Sequence, residues 1–174
     1  READLYIYGP QALGSVLNFY KSFFGDGMKF NIVFTAVNCK EPMLIHESKN
    51  VNVSAFPLNH KIECYGYRFD SIPTARRPEI TSYAYCSDTA FNPQVAEMVK
   101  GVNTIYHEAT YTNEFSHLAG LRGHSTSAEA ARIAGNGKAE VFYYQNSIAR
   151  IMAHTSRQPG MSTVFTNLLR YEGD

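Results

Sequence analysis

Tryptophan is absent from this chain, and neither sign of charge dominates, since sixteen basic and sixteen acidic residues cancel to a formal net charge of zero. Without a basic excess, a nucleic-acid partner would have to be recognised through a local surface patch. The three cysteines, Cys39, Cys64 and Cys86, are odd in number and form no CxxC pair. We therefore predict reduced, buried thiols in a cytosolic protein rather than a disulfide framework.

Long apolar runs are also missing, because no stretch of the sequence approaches the roughly 18 to 20 residues that a membrane span requires. No signal peptide opens the chain, so we expect a cytoplasmic protein without a membrane partner. With 44% hydrophobic and 18% charged residues, the chain is long enough to bury one core. We predict a single domain over residues 1–174. Because a strand-like segment follows Arg1 almost at once, we expect further residues to precede Arg1 in the biological protein.

The first half of the sequence predicts a β-turn-α unit followed by a mostly antiparallel sheet. A strand at 5–8 ends in Gly9-Pro10, and the apolar spacing over 13–24 fits an amphipathic helix. The next segment, 70–81, carries two prolines and the Arg76-Arg77 pair, as is typical of an exposed loop. Further strands are predicted at 29–34, 43–46, 51–56 and 62–69.

The second half alternates strands and helices, which predicts helices layered against a sheet. Ser125 or Thr126 can cap a helix that runs to Gly135. A helix with proline near its start is predicted at 93–99. Strands are predicted at 82–86, 102–106, 141–144, 148–153 and 168–171.

Three polar clusters follow apolar strands, where layered α/β folds present catalytic groups. The first contains His60, the second Asp88, and the third combines His107-Glu108 with His124 at the start of a helix. Each also has a structural interpretation, as a hydrogen-bonded histidine or a carboxylate in a turn or cap. Two histidine-bearing element ends in the third cluster favour a functional site.

The motifs SDT at 87–89, HEAT at 107–110 and GHST at 123–126 resemble, in content and order, the ribonuclease Z (tRNase Z) family of the metallo-β-lactamase superfamily. Residues 58–68, from Leu58-Asn59-His60 to Gly66-Tyr67-Arg68, are similar to that family's third-ligand strand. Residues 5–10 resemble the strand and turn that follow its HxHxDH loop. The resemblance covers residues 5 to about 140, apart from 70–77.

This resemblance implies an α/β, metallo-β-lactamase-like αβ/βα sandwich with two zinc ions between its sheets. His60 would bind one zinc and Asp88 would bridge both, in keeping with the preference of zinc for imidazole and carboxylate ligands. His124 would be the catalytic histidine outside the metal shell, and Glu108 would orient it. The implied substrate is precursor tRNA, and the implied assembly is a homodimer.

The sequence departs from the family pattern at three points. The HxHxDH loop, which supplies most metal ligands, is absent from these 174 residues. At the last metal-ligand position, spacing from His124 favours Asn146 whereas ligand chemistry favours His154, and both remain open. The interval between His60 and Asp88 leaves little room for the arm that grips tRNA in family members. Basic residues near this interval that could meet phosphates are Lys61, Arg76 and Arg77.

Three functions fit these patterns. The first is a zinc-dependent endonuclease that removes the 3′ trailer of precursor tRNA. The second is a catalytically inactive homologue or half-domain that binds RNA or a partner subunit. The third is another metallo-β-lactamase-fold hydrolase. An HxHxDH motif upstream of Arg1 would favour an enzyme.

Overall fold

The computed structural model describes residues 4–25 and 28–135, which form seven strands, four α-helices and a short 3-10 turn at Asn113–Phe115. Three predicted strands, at 141–144, 148–153 and 168–171, lie outside the described residues, as do Asn146 and His154. The strands are β1 Leu5–Gly9, β2 Ile32–Ala36, β3 Met43–Glu47, β4 Val51–Pro57, β5 Tyr65–Ser71, β6 Ser82–Cys86 and β7 Thr104–His107. The helices are α1 Gln11–Phe24, α2 Pro93–Met98, α3 Ser116–Arg122 and α4 Ser127–Ile133.

The chain begins its described part with a β1-α1-β2 unit. β1 and β2 are parallel, with Leu5 opposite Ile32, because α1 returns the chain to the same end of the pair. The strand predicted at 29–34 therefore starts later, and the prediction that it joins an antiparallel sheet is wrong. α1 approaches β2 closely at Gly14, where an added Cβ would lie 2.6 Å from the Phe34 ring.

The larger sheet has five strands in the order β3-β4-β5-β6-β7. β3 to β6 pair antiparallel, as predicted, and β7 pairs parallel with β6. Because β4 and β6 are both antiparallel to β5, and β7 is parallel to β6, the strands β4, β6 and β7 run in the same direction. Their carboxyl ends therefore lie at one edge of the sheet. The loops that carry His60, Asp88 and Glu108 therefore start from the same edge of the sheet.

The interval between His60 and Asp88, all of it described, is a β-hairpin. β5 starts at Tyr65 rather than at the predicted residue 62, because residues 58–64 make a turn in which the Leu58 N–H donates to the Cys64 carbonyl (3.2 Å). The β5–β6 connection, 72–81, contains one bridge, Thr74 to Arg77. This interval holds no separate arm.

One face of the larger sheet carries the main core. Buried residues of β4 and β6 pack there against α2 and α4, and the alternation along β6 turns Tyr83 and Tyr85 to the opposite face. On that face Tyr85 stacks on Tyr106 with ring centroids 4.9 Å apart. The core residues are Phe56, Ala84, Cys86, Val95, Val99 and Ile133.

No described helix has the length and apolar character needed to cross a membrane.

Candidate functional site

Three side chains from separate loops converge at the shared edge of the sheet. His60 follows β4, Asp88 follows β6, and His124 lies between α3 and α4. One potential ligand atom from each lies within 4.8 Å of the other two. The rings of His60 and His124 meet edge to face, with centroids 5.1 Å apart. The structure therefore brings together three of the residues that the sequence singled out.

His60 is held by the backbone that precedes His124. Its Nδ1 lies 2.8 Å from the carbonyl oxygen of Gly123, and a carbonyl only accepts, so Nδ1 carries the proton and donates it. The Nε2 atom then keeps its lone pair and can bind a metal. Gly123 ends α3 in the left-handed region, with φ of 81°, which glycine adopts without steric cost.

His124 is oriented in the same way by Glu108. Its Nδ1 lies 3.1 Å from Glu108 Oε1, and an ionised carboxylate only accepts, so Nδ1 donates the proton. The Nε2 atom is again the free ring nitrogen. Immediately after His124, α4 begins with a capping box, in which Thr126 and Glu129 satisfy each other's backbone N–H groups. The predicted cap at Thr126 is confirmed.

The Glu108 carboxylate is buried, at 7% exposure, yet both of its oxygens accept hydrogen bonds. A buried carboxylate is tolerated when several donors compensate for the lost water. These donors come from the loops that follow β6 and β7 and from the residues before α4. On Oε1 they are Thr89 N (3.1 Å), Ser125 N (2.9 Å) and His124 Nδ1, and on Oε2 they are Thr110 N (2.9 Å) and Thr110 Oγ1 (2.7 Å).

Asp88 has an exposed side chain, which leaves its carboxylate free for a ligand. Its backbone carbonyl accepts a hydrogen bond from Cys64 Sγ (3.4 Å). Burial and the nearby negative charge of Asp88 raise the pKa of the Cys64 thiol. Cys39 and Cys86 are buried, as predicted, but Cys64 is only half-buried beside the site. Nothing in the spacing of Cys64 signalled this position.

His107 lies beside the site rather than in it. Its Nδ1 donates to the Glu108 carbonyl (2.7 Å), which helps turn the chain at the end of β7. Burial lowers the pKa of this imidazole, although its hydrogen bond to the Glu108 carbonyl and the nearby carboxylates oppose the shift. His107 is thus a structural histidine in the described part of the chain.

The donor set suits a divalent zinc ion, because imidazole nitrogen and carboxylate oxygen are its usual ligands. His60 Nε2 and the Asp88 carboxylate are both free to coordinate. A zinc site needs at least three protein ligands, and His124 is the third group within reach among the described residues. Asn146 and His154, the two candidates for the last ligand position, lie outside the described residues.

No protein-family model matches the chain. Ribonuclease Z of Bacteroides thetaiotaomicron is 30% identical over an alignment of 180 positions, which covers 79% of this chain and 57% of the relative. The resemblance to the ribonuclease Z family is confirmed. The chain spans a little over half the length of that relative, 57%.

Solved structures show the fold of this chain. The short form of human tRNase Z matches with a TM-score of 0.62 at 19% identity, covering 75% of this chain and 55% of that one. The metallo-β-lactamase fold protein YhfI of Bacillus subtilis matches with a TM-score of 0.54 at 19% identity, covering 77% of this chain and 47% of that one. The predicted α/β, metallo-β-lactamase-like fold is confirmed.

Proposed function

We propose that this chain is part of a zinc-dependent endoribonuclease that removes the 3′ trailer from precursor tRNA. The observation that carries the proposal is the convergence of His60, Asp88 and the Glu108-bound His124 at one sheet edge, in a chain similar to ribonuclease Z. The products would be a tRNA with a 3′-hydroxyl and a trailer with a 5′-phosphate.

His60 and Asp88 are the proposed zinc ligands in the described part. His154, with Asn146 as its alternative, is proposed for the last position of a two-zinc site. When bound, the zinc ions would supply Lewis-acid activation of water and of the phosphodiester. Asp88 is exposed. The two oxygens of its carboxylate could each bind one zinc ion.

His124 is proposed as the general acid, with Glu108 as its orienting partner. The Glu108 carboxylate holds Nδ1–H, so the proton available for transfer is on Nε2 of the doubly protonated ring. Protonation of the departing 3′ oxygen leaves a hydroxyl on the tRNA, so the phosphate stays with the trailer.

Contacts to tRNA phosphates are proposed for exposed basic residues around the site. Lys61 is exposed directly after His60, and Arg76 and Arg77 are exposed in the β5–β6 connection. Such contacts position an RNA without reading its sequence. A homodimer in the cytoplasm is part of the same proposal and rests on the family.

The test is cleavage of an end-labelled precursor tRNA by the full-length protein, with end-group analysis of both products. We expect a 3′-hydroxyl on the tRNA, loss of cleavage on zinc chelation, and weaker substrate binding as salt rises, because phosphate contacts release counterions. A 3′-phosphate on the tRNA, or cleavage that survives removal of all metal, would contradict the mechanism. RNA binding without cleavage by the zinc-loaded protein would support an inactive homologue.

A further inference from the structure

Thr89 is a polar residue with no exposed surface, although it follows the exposed Asp88 directly. A buried hydroxyl is costly unless its hydrogen bonds are satisfied. Here the Thr89 hydroxyl donates to the Ala90 carbonyl (2.9 Å) and accepts from the Asn59 N–H (3.0 Å). Asn59 is the residue immediately before His60.

The contact between the two loops is reciprocal. While the Asn59 N–H donates to the Thr89 hydroxyl, the Ala90 N–H donates to the Asn59 carbonyl (2.7 Å). Two short hydrogen bonds therefore join the backbone just before His60 to the backbone just after Asp88. Only the first of them depends on a side chain.

Thr89 is also fixed from the side of His124. Its N–H donates to Glu108 Oε1 (3.1 Å), and its carbonyl accepts from the Ser125 hydroxyl (2.7 Å). All polar groups of Thr89 thus have partners, in loops that carry His60, Glu108 and His124. Thr89 thus links all three of these loops through its own hydrogen bonds.

We propose that Thr89 is a positioning residue, whose hydroxyl holds the Asp88 loop at a fixed distance from the His60 loop so that both ligands face one metal. The inference rests on the proposed function, because it assumes that His60 and Asp88 bind zinc. Residues that orient metal ligands typically change metal affinity about tenfold to a hundredfold when they are removed. Thr89 touches neither the metal nor the substrate in this role.

The decisive variant is Thr89→Val in the full-length protein, because valine keeps the shape of threonine and replaces the hydroxyl with a methyl group that cannot form hydrogen bonds. We expect its zinc dissociation constant, measured by competition with a chromophoric chelator, to rise about tenfold to a hundredfold. Thr89→Ser keeps the hydroxyl and should bind zinc as the wild type does. The visible spectrum of the cobalt-substituted protein should change for Thr89→Val alone.

The matched control is Ser82→Ala at the opposite end of β6. Ser82 is also buried and its hydroxyl donates to Asp70, so this variant loses a buried hydrogen bond away from the site. It should lower the melting temperature and leave zinc affinity unchanged. If Thr89→Val does not fold, Thr89→Ala removes the same hydroxyl while leaving space for water to reach the Asn59 N–H.

The outcomes separate this inference from the function on which it rests. A wild-type protein that binds no zinc would overturn both. If the wild type binds zinc and the Thr89→Val variant loses only thermal stability, the positioning role is overturned and the proposed function stands. A loss of affinity in Thr89→Ser equal to that in Thr89→Val would also overturn it, because the hydroxyl would then not be responsible.

Discussion

At the scale of single residues, the site depends on how two imidazole rings are held. Both rings donate from Nδ1, His60 to the Gly123 carbonyl and His124 to Glu108 Oε1. This fixes the ring plane and leaves Nε2 as the reactive nitrogen in each case. Rings held in the same way thus suit different proposed roles, because His60 has a neutral backbone partner and His124 a charged carboxylate.

The two roles predict different outcomes for alanine substitutions. His60→Ala and Asp88→Ala should each lower the zinc content of the full-length protein, because both remove proposed ligands. His124→Ala should keep its zinc and lose about 10²- to 10⁴-fold in turnover, the usual contribution of a general acid. Zinc content by elemental analysis and single-turnover cleavage distinguish these cases. Loss of zinc in His124→Ala would instead make His124 a ligand, as its distance to the other two groups allows.

Gly123 offers a second test at this scale. A Cβ added there would lie 2.5 Å from His60 Nδ1, and the residue has φ of +81°. Gly123→Ala should therefore displace the His60 ring and weaken zinc binding, in addition to the roughly 1 to 2 kcal/mol cost of a left-handed alanine.

The control is Gly101→Ala. Gly101 has a similar φ, +76°, but nothing lies within 4 Å of an added Cβ, so this variant shares the backbone strain without touching His60. Thermal unfolding should shift comparably in both variants, whereas zinc affinity should fall in Gly123→Ala alone. Equal zinc affinities would show that the Gly123 contact does not position His60.

At the scale of elements, strand direction creates the site. β4, β6 and β7 end at one edge because β4 and β6 are both antiparallel to β5 and β7 is parallel to β6. The single helix α2 between β6 and β7 provides the crossover that a parallel pair requires. A hairpin connection at that point would have sent Glu108 to the other end of the sheet.

The close packing of β4 on β5 predicts an effect at Gly66. This glycine lies opposite Phe56, and an added Cβ would lie 2.2 Å from the Phe56 ring. Gly66→Ala should destabilise the fold by about 1 to 3 kcal/mol through overpacking. The comparison variant is Gly120→Ala in α3, where nothing lies within 4 Å and alanine should stabilise by up to about 1 kcal/mol. Chemical denaturation measures both, and unchanged stability of Gly66→Ala would contradict the packing argument.

At the scale of the whole molecule, the described part leaves large apolar side chains uncovered. On α1 the exposed fractions of Phe19, Phe23 and Phe24 are 60%, 68% and 71%. On the larger sheet, Tyr83 and Tyr85 lie on the face opposite the core, each more than a third exposed. Contiguous apolar surface of this kind marks an interface or a site of aggregation.

The 174-residue chain in isolation should therefore self-associate or aggregate. Light scattering after size exclusion should show a mass above 19.5 kDa, with no cooperative monomeric unfolding on heating. Phe23→Lys tests one of these surfaces, because the Phe23 ring contacts the exposed Phe19 and Phe24 and belongs to neither core cluster of the described residues. This variant should reduce association. A monomeric wild-type chain with a cooperative transition would contradict the prediction and favour a self-sufficient half-domain.

Local sequence determined much of this protein. The alternation over β6, the proline at the start of α2 and the capping pair Thr126 and Glu129 each act within a few residues, so their elements were predictable. The motifs also identified His60, Asp88, Glu108 and His124 in advance. Their proposed roles remain predictions.

Only the tertiary structure decided how these pieces meet. The parallel pairing of β1 with β2, in which Leu5 lies opposite Ile32, depends on partners far along the chain. The same holds for the contacts of His60 with Gly123 and of Thr89 with Asn59, which span 63 and 30 residues. Sequence periodicity shows which face of a helix or strand is buried, but not which element packs against that face. Buried hydrogen bonds between loops form only when the sheet has aligned the ends of its strands.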